Sequence, residues 1–201
     1  MPARGDHDAR RREVSEAVWR VLARDGFGGL TLRAVAAEMG ASTGLLTHYF
    51  PTKRALVRHA LEITQERTVI RNRRAGVADG LAALRSALLD VLPLTPRATA
   101  MNRVWVSFWD AALADPELGA SEAARYARWR AKLRPHVEAA QRLGELPAKA
   151  DPDDIVTITA AFTHGLVVQA LFDPDRFPPA RQTSLLEQFL AGLPTHPAIG
   201  D

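Results

Sequence analysis

Cysteine is absent from the 201 residues, which removes structural disulfides, thiol nucleophiles and thiolate zinc sites together and fits a reducing compartment. Strand signals are scarce as well: no alternating β-branched run is closed by Asn-Gly or Asp-Gly. No apolar run reaches about 18 residues, so no membrane span is predicted. The stretch Met1-Pro2-Ala3-Arg4-Gly5-Asp6-His7-Asp8 reads into Arg10-Arg11-Arg12 without a hydrophobic signal region, and the expectation is a cytoplasmic, unsecreted chain. A Gly-rich phosphate loop, His-Glu-x-x-His and a Ser-centred elbow are all missing. No enzymatic activity, cofactor or metal site is therefore expected.

What remains is an ordinary globular composition, 47% hydrophobic and 24% charged, with an uneven charge. Residues 1–75 hold 14 Lys/Arg against 8 Asp/Glu, net +6, while residues 76–201 hold 12 against 15, net −3. A basic head on a neutral-to-acidic body is what a nucleic-acid-binding chain shows, since phosphate affinity comes from clustered Lys and Arg; a solvated basic helix end gives the same count.

Helix-spaced apolar residues recur along the whole chain, so the fold class is all-α, with about nine helices. Val14, Ala17, Val18, Val21 and Leu22 make the stripe of a first helix of about four turns that stops at Gly26. A second, about two turns long, follows Thr31 as N-cap and ends at Gly40. A third opens at Ser42 or Thr43 and ends at Tyr49-Phe50, because Pro51 disfavours helical geometry before it. Thr52 caps a fourth running to about Arg74, with stops expected at Gly76 and Gly80. Residues 1–51 read as a helix-turn-helix DNA-binding domain and 52–201 as a helical regulatory domain. Small residues such as Thr43 and Gly44 would let the third helix approach base edges in a major groove about 12 Å wide.

The stretch from Leu30-Thr31-Leu32-Arg33-Ala34-Val35-Ala36-Ala37-Glu38-Met39-Gly40-Ala41 through Ser42-Thr43-Gly44-Leu45-Leu46-Thr47-His48-Tyr49-Phe50-Pro51-Thr52-Lys53 resembles the DNA-binding signature of the TetR family of bacterial repressors. The resemblance implies phosphate contacts for Thr31, Ser42, Thr47, Tyr49 and Lys53. It implies base-edge positions for Arg33, Thr43, Gly44, Leu45 and His48. Where the family commonly has Tyr, this chain has Thr47, as in the branch similar to the choline-responsive betaine-pathway repressors (BetI-like). Structural duties compete with these roles: Thr31 and Ser42 would be N-caps with or without DNA, Tyr49 can be largely packed, and Arg10–Arg12 read as a minor-groove arm or a solvated helix start.

Farther on, Asn102-Arg103-Val104-Trp105-Val106-Ser107-Phe108-Trp109, Tyr126-Ala127-Arg128-Trp129 and Gly165-Leu166-Val167-Val168-Gln169 resemble the C-terminal domain of the same branch. By residue type, the candidate ligand residues are Asn102, Trp105, Trp109, Tyr126, Trp129, His164 and Gln169, with Arg103 as a further polar candidate. Aromatic faces hold a quaternary ammonium by cation–π attraction or a flat apolar molecule by burial, and simple core packing would use the same residues. His164 stands where the family has an acidic residue, which weakens the case for a cation. Asp154–Phe172 and the last helix, with Leu185, Leu186, Phe189 and Leu190, read as the surface of a homodimer that binds a palindromic operator. Three readings follow: a ligand-responsive repressor, an enzyme that no motif supports, and a helical protein-interaction scaffold with an inactive head.

Overall fold

A computed structural model describes residues 4–71 and 79–193, with side chains for 9–67 and 79–193. Among the described residues there are nine helices and no strand: α1 Arg4–Asp25, α2 Leu32–Glu38, α3 Thr43–Tyr49, α4 Lys53–Arg71, α5 Gly80–Leu89, α6 Pro96–Ala114, α7 Pro116–Arg142, α8 Pro152–Phe172 and α9 Pro179–Gly192. The all-α fold and the expected boundaries of α2 and α3 agree with the sequence pattern. The expected stop at Gly76 and the end of the fourth helix near Arg74 lie outside the described residues.

The chain divides into two compact units, Met1–Ile70 with Arg103–Ala111, and Arg71–Asn102 with Ala112–Asp201. In the first, the predicted stripe of α1 (Val14, Ala17, Val18, Val21, Leu22) is buried, as are Val35, Ala36, Leu46, Phe50 and Leu56. Arg20 and Arg24 of α1 reach Glu38 of α2 at 2.6 and 2.8 Å, and Arg24 foremost, then Arg20, holds that carboxyl below its ordinary range. At 22 residues α1 is longer than the four turns expected. Its extra turns carry Arg, Asp and Glu rather than an apolar stripe, so periodicity could not find them. Arg10, Arg11 and Arg12 lie within this helix and are exposed, which makes them a helix face rather than an extended arm.

Gly26 ends α1 at φ 66°, and the next residue, Phe27, donates its N–H to Ser107 Oγ at 3.0 Å while its ring meets Phe108 at 4.9 Å. A Cβ on Gly26 would stand 2.8 Å from Ser107 Cβ. Gly26→Ala therefore combines left-handed strain with a clash and is expected to lower stability by about 1–2 kcal/mol. An unchanged midpoint in denaturant titration would contradict this.

The second unit is built on leucine-rich faces of α5, α7, α8 and α9, among them Leu84, Leu88, Leu133, Val137, Val156 and Leu186. Asp115 and Asp151 cap α7 and α8, each followed by a proline at the first helical position, where the missing N–H costs nothing. Pro135 sits inside the 27-residue α7 without ending it. By length and composition alone α8 qualifies as a membrane span, with mean hydropathy 1.7 over 18 residues, of which 44% are buried. Unbroken apolar length gives no such signal. In α8 the apolar residues are interrupted by Thr159, Thr163 and His164, and Ile155, Val156, Leu166 and Val167 belong to the core.

Candidate functional site

Within the first unit, the sequence-predicted reading residues fall on one side of a simple division. Thr31, Arg33, Ser42, Thr43, Gly44, Thr47, His48 and Lys53 are exposed or half-buried, and so are Leu45 and Tyr49. The residues interleaved with them, Val35, Ala36, Leu46 and Phe50, are buried. The seven residues of α3 thus turn Leu46 inward and leave a small, polar outer surface.

The caps add chemistry to this surface. Thr31 Oγ1 accepts from Ala34 N–H at 3.0 Å, Ser42 Oγ from Leu45 N–H at 3.4 Å, and Thr52 Oγ1 from Ala55 N–H at 3.1 Å. A hydroxyl that caps as an acceptor keeps its own proton to donate, and a phosphate only accepts. Thr52 shares this geometry, although the sequence singled it out as a cap alone. Thr47 differs, because its hydroxyl donates to the Gly44 carbonyl at 2.8 Å and must leave that bond before it can serve a phosphate. His48 packs edge-on against Tyr49 at 5.7 Å.

The expected ligand residues are distributed over both units. Trp105, which is buried, and the half-buried Trp109 belong to the first, where Trp105 meets Phe108 edge-on at 6.4 Å. In the second, Asn102 is buried with its amide donating to the carbonyls of Val91 at 2.9 Å and Ala98 at 3.0 Å. Those bonds already occupy its donors. Gln169 is exposed on α8.

Tyr126, Trp129 and His164 do come together. Tyr126 and Trp129 of α7 lie 4.9 and 4.7 Å from the His164 ring of α8, both tilted toward edge-on geometry. Beside them is an ion pair that the sequence pattern did not single out: Arg125 lies over the Tyr126 ring at 4.6 Å and bonds Glu122 at 2.6 and 2.8 Å. Its signal in the sequence is the i,i+3 spacing of Glu122 and Arg125, common on solvated helices. Burial, and then the charge of Arg125, push the His164 pKa down to about 4, against a backbone hydrogen bond at Ala160 that works the other way. Burial likewise raises Tyr126. The cluster is thus aromatic and uncharged at neutral pH apart from a compensated pair.

Acid should loosen this cluster. The unfolded imidazole, with an ordinary pKa of 6.5, takes a proton that the folded one refuses until about pH 4. The contribution of His164 is intact above pH 6.5 and lost as pH falls toward 4, by about 2 kcal/mol between pH 7 and 5. Unfolding titrations of the wild type and His164→Gln at both pH values should show a steeper loss in the wild type. Equal losses would contradict the assignment.

A model of the bacterial regulatory proteins of the tetR family matches residues 15–60, and one for the C-terminal domain of BetI-type transcriptional repressors matches residues 80–195. The HTH-type transcriptional regulator PksA of Bacillus subtilis is 34% identical over 110 residues, 54% of this chain and 54% of that protein. BetI of Paraburkholderia phytofirmans is 30% identical over 122 residues, 59% of this chain and 62% of that protein. The matches therefore span little more than half the length of these curated relatives. A transcriptional regulator from Rhodococcus sp. Rha1 shares the fold at TM-score 0.78 and 23% identity, over 90% of this chain and 94% of that one. A regulator from Saccharomonospora viridis, solved in complex with choline, does so at TM-score 0.79 and 23% identity, over 91% and 96%. The families matched are those of transcriptional regulators, not of enzymes. The chain belongs to the TetR family of bacterial regulators, with a C-terminal domain of the BetI type.

Proposed function

We propose that this chain is a cytoplasmic repressor that binds a palindromic operator as a homodimer and is released by a small molecule held in its C-terminal domain. The observation that carries the reading is the division of α2 and α3 into a buried inner face and an outer face of Thr31, Arg33, Ser42, Thr43, Gly44, Thr47 and His48. Residues 1–51 would supply the reading surface and 52–201 the regulatory part. Support for the dimer comes from α8, whose outward line Ile158, Ala161, Gly165 and Phe172 is exposed in the single chain although the helix is apolar. Phe162 of α8 and Phe189 of α9 stack at 4.1 Å, which ties the two helices into one surface.

For the inducer, Tyr126, Trp129 and the neutral His164 favour a flat apolar molecule. A quaternary ammonium is the second reading, favoured by the same aromatic faces and by the choline complex of the Saccharomonospora viridis neighbour. Trp105, Trp109, Asn102 and Gln169 remain candidates for the same role. Ligand preference for the conformation that does not fit the operator would supply the coupling.

The test is a mobility shift on the intergenic DNA beside the chain's own gene, at two salt concentrations, with Arg33→Ala and His48→Ala alongside. A competitor-resistant, salt-dependent shift that weakens in both variants supports the reading. Loss of the shift to nonspecific competitor would favour the scaffold alternative with an inactive head. Thermal shifts with choline-like cations and apolar aromatics then separate the two inducer classes.

A further inference from the structure

Residues of α1, of the end of α3 and of α4 line an open cavity of about 260 Å³: Arg11, Val14, His48, Tyr49, Phe50 and His59. None of the six is acidic. Val14 and Phe50 are buried, and the Phe50 ring lies 5.2 Å from that of His59. Arg11 is exposed, and its guanidinium makes no ion pair with a described residue. Such a cavity, apolar on one side and lined on the other by a cation and two imidazoles, suits a small oxyanion. Its connection to α3 through His48 and Tyr49 puts it beside the surface that faces DNA.

We propose that this cavity is a seat for a phosphate oxyanion, held by Arg11 and His48 with the charge of His59 beside it, and supplied by the DNA backbone alongside the recognition helix. The proposal rests on the DNA-binding reading and adds to it a contact that depends on a proton.

Ser15 Oγ donates to the Arg11 carbonyl at 3.0 Å, so His59 Nε2, also 3.0 Å away, carries the hydrogen of the bond to Ser15. The ring can then gain charge only at Nδ1, which lies 3.6 Å from Glu62 Oε2. Burial foremost holds His59 below its ordinary range; Arg11 adds to this, while Glu62 and Glu66 on its own helix oppose it. From α3 the facing groups are His48 and Tyr49. A bound oxyanion offsets Arg11 and favours the imidazolium, so phosphate binding takes up a proton and weakens as pH rises.

The experiment measures duplex affinity of the full chain by fluorescence anisotropy across salt and pH, for the wild type, Arg11→Gln and His59→Gln. Helix content by circular dichroism guards against misfolding, and the exposed Arg11 serves if His59→Gln destabilises the chain. Loss of one phosphate contact in Arg11→Gln lowers the salt slope by about 0.9 per head, so a fourfold salt increase costs the wild type about 3.5-fold more affinity than the variant. Between about pH 6 and 8, wild-type affinity falls by up to about tenfold per unit, and His59→Gln flattens that dependence.

Inorganic phosphate replacing chloride at constant ionic strength is the second arm: competition that Arg11→Gln removes supports the seat with free anion as an occupant. Unchanged slopes and pH profiles in Arg11→Gln and His59→Gln, in a chain that binds DNA, overturn the seat alone. A wild type that binds no duplex overturns the regulator reading and the seat with it.

Discussion

Gly44→Asp is expected to leave a chain as helical and as stable as the wild type that no longer retains operator DNA. Gly44 is the second residue of α3 and exposed, and a Cβ there would meet only Ser42 Oγ, at 3.9 Å. An aspartate in the first turn of a helix is favoured by the positive end of the dipole and has a better helix propensity than glycine. The folded head therefore loses nothing. The duplex meets a side chain where backbone had to approach the bases, and a negative charge among phosphates. At about 1–3 kcal/mol per head and two heads per operator, affinity should fall at least about thirtyfold. Gly44→Ala, which adds bulk without charge, should lie between. Mobility shifts and thermal melts on the three chains decide it, and undiminished binding by Gly44→Asp would remove α3 from the interface.

The second large effect is expected at Gly165. The residue is exposed on α8, a Cβ there would meet nothing within 4 Å, and arginine is the better helix former by roughly 0.8 kcal/mol. As a single chain Gly165→Arg should be no less stable. In a two-fold dimer the same patch meets itself, so each substitution places two guanidinium groups in one interface. Unpaired buried charges of this kind cost about 3–5 kcal/mol, which raises the dissociation constant of the dimer at least about a hundredfold. Sedimentation should show a monomer, and operator affinity should fall as well because two linked heads become independent. A Gly165→Arg chain that remains dimeric would move the interface off this face of α8.

The reading head was legible because its constraints are local. Thr31 and Ser42 announce caps, Gly40 ends α2, Pro51 closes α3, and Leu46 lies at the one position of α3 that must face inward. The same locality explains the failure at α1, whose opening turns are stabilised by pairs such as Arg10 with Glu13 at 2.7 Å rather than by a buried stripe. In the body, the sequence could name aromatics but not their neighbours. Tyr126 and Trp129 meet His164 across more than thirty intervening residues, and no spacing rule links α7 to α8. Asn102 illustrates the converse: its residue type suits a ligand, yet its amide serves the turn before its own helix.

The hydroxyl caps at Thr31, Ser42 and Thr52 separate two kinds of selection. Asp or Asn at any of them would cap as well as the present residue, so a drifting lineage could exchange them without losing folded protein. Aspartate would also carry no proton for a phosphate and would repel it. On the proposed reading, heads of this design would fall silent at their promoters while remaining folded and would recover by a single codon change, so a regulator would lose its targets before it loses its shape.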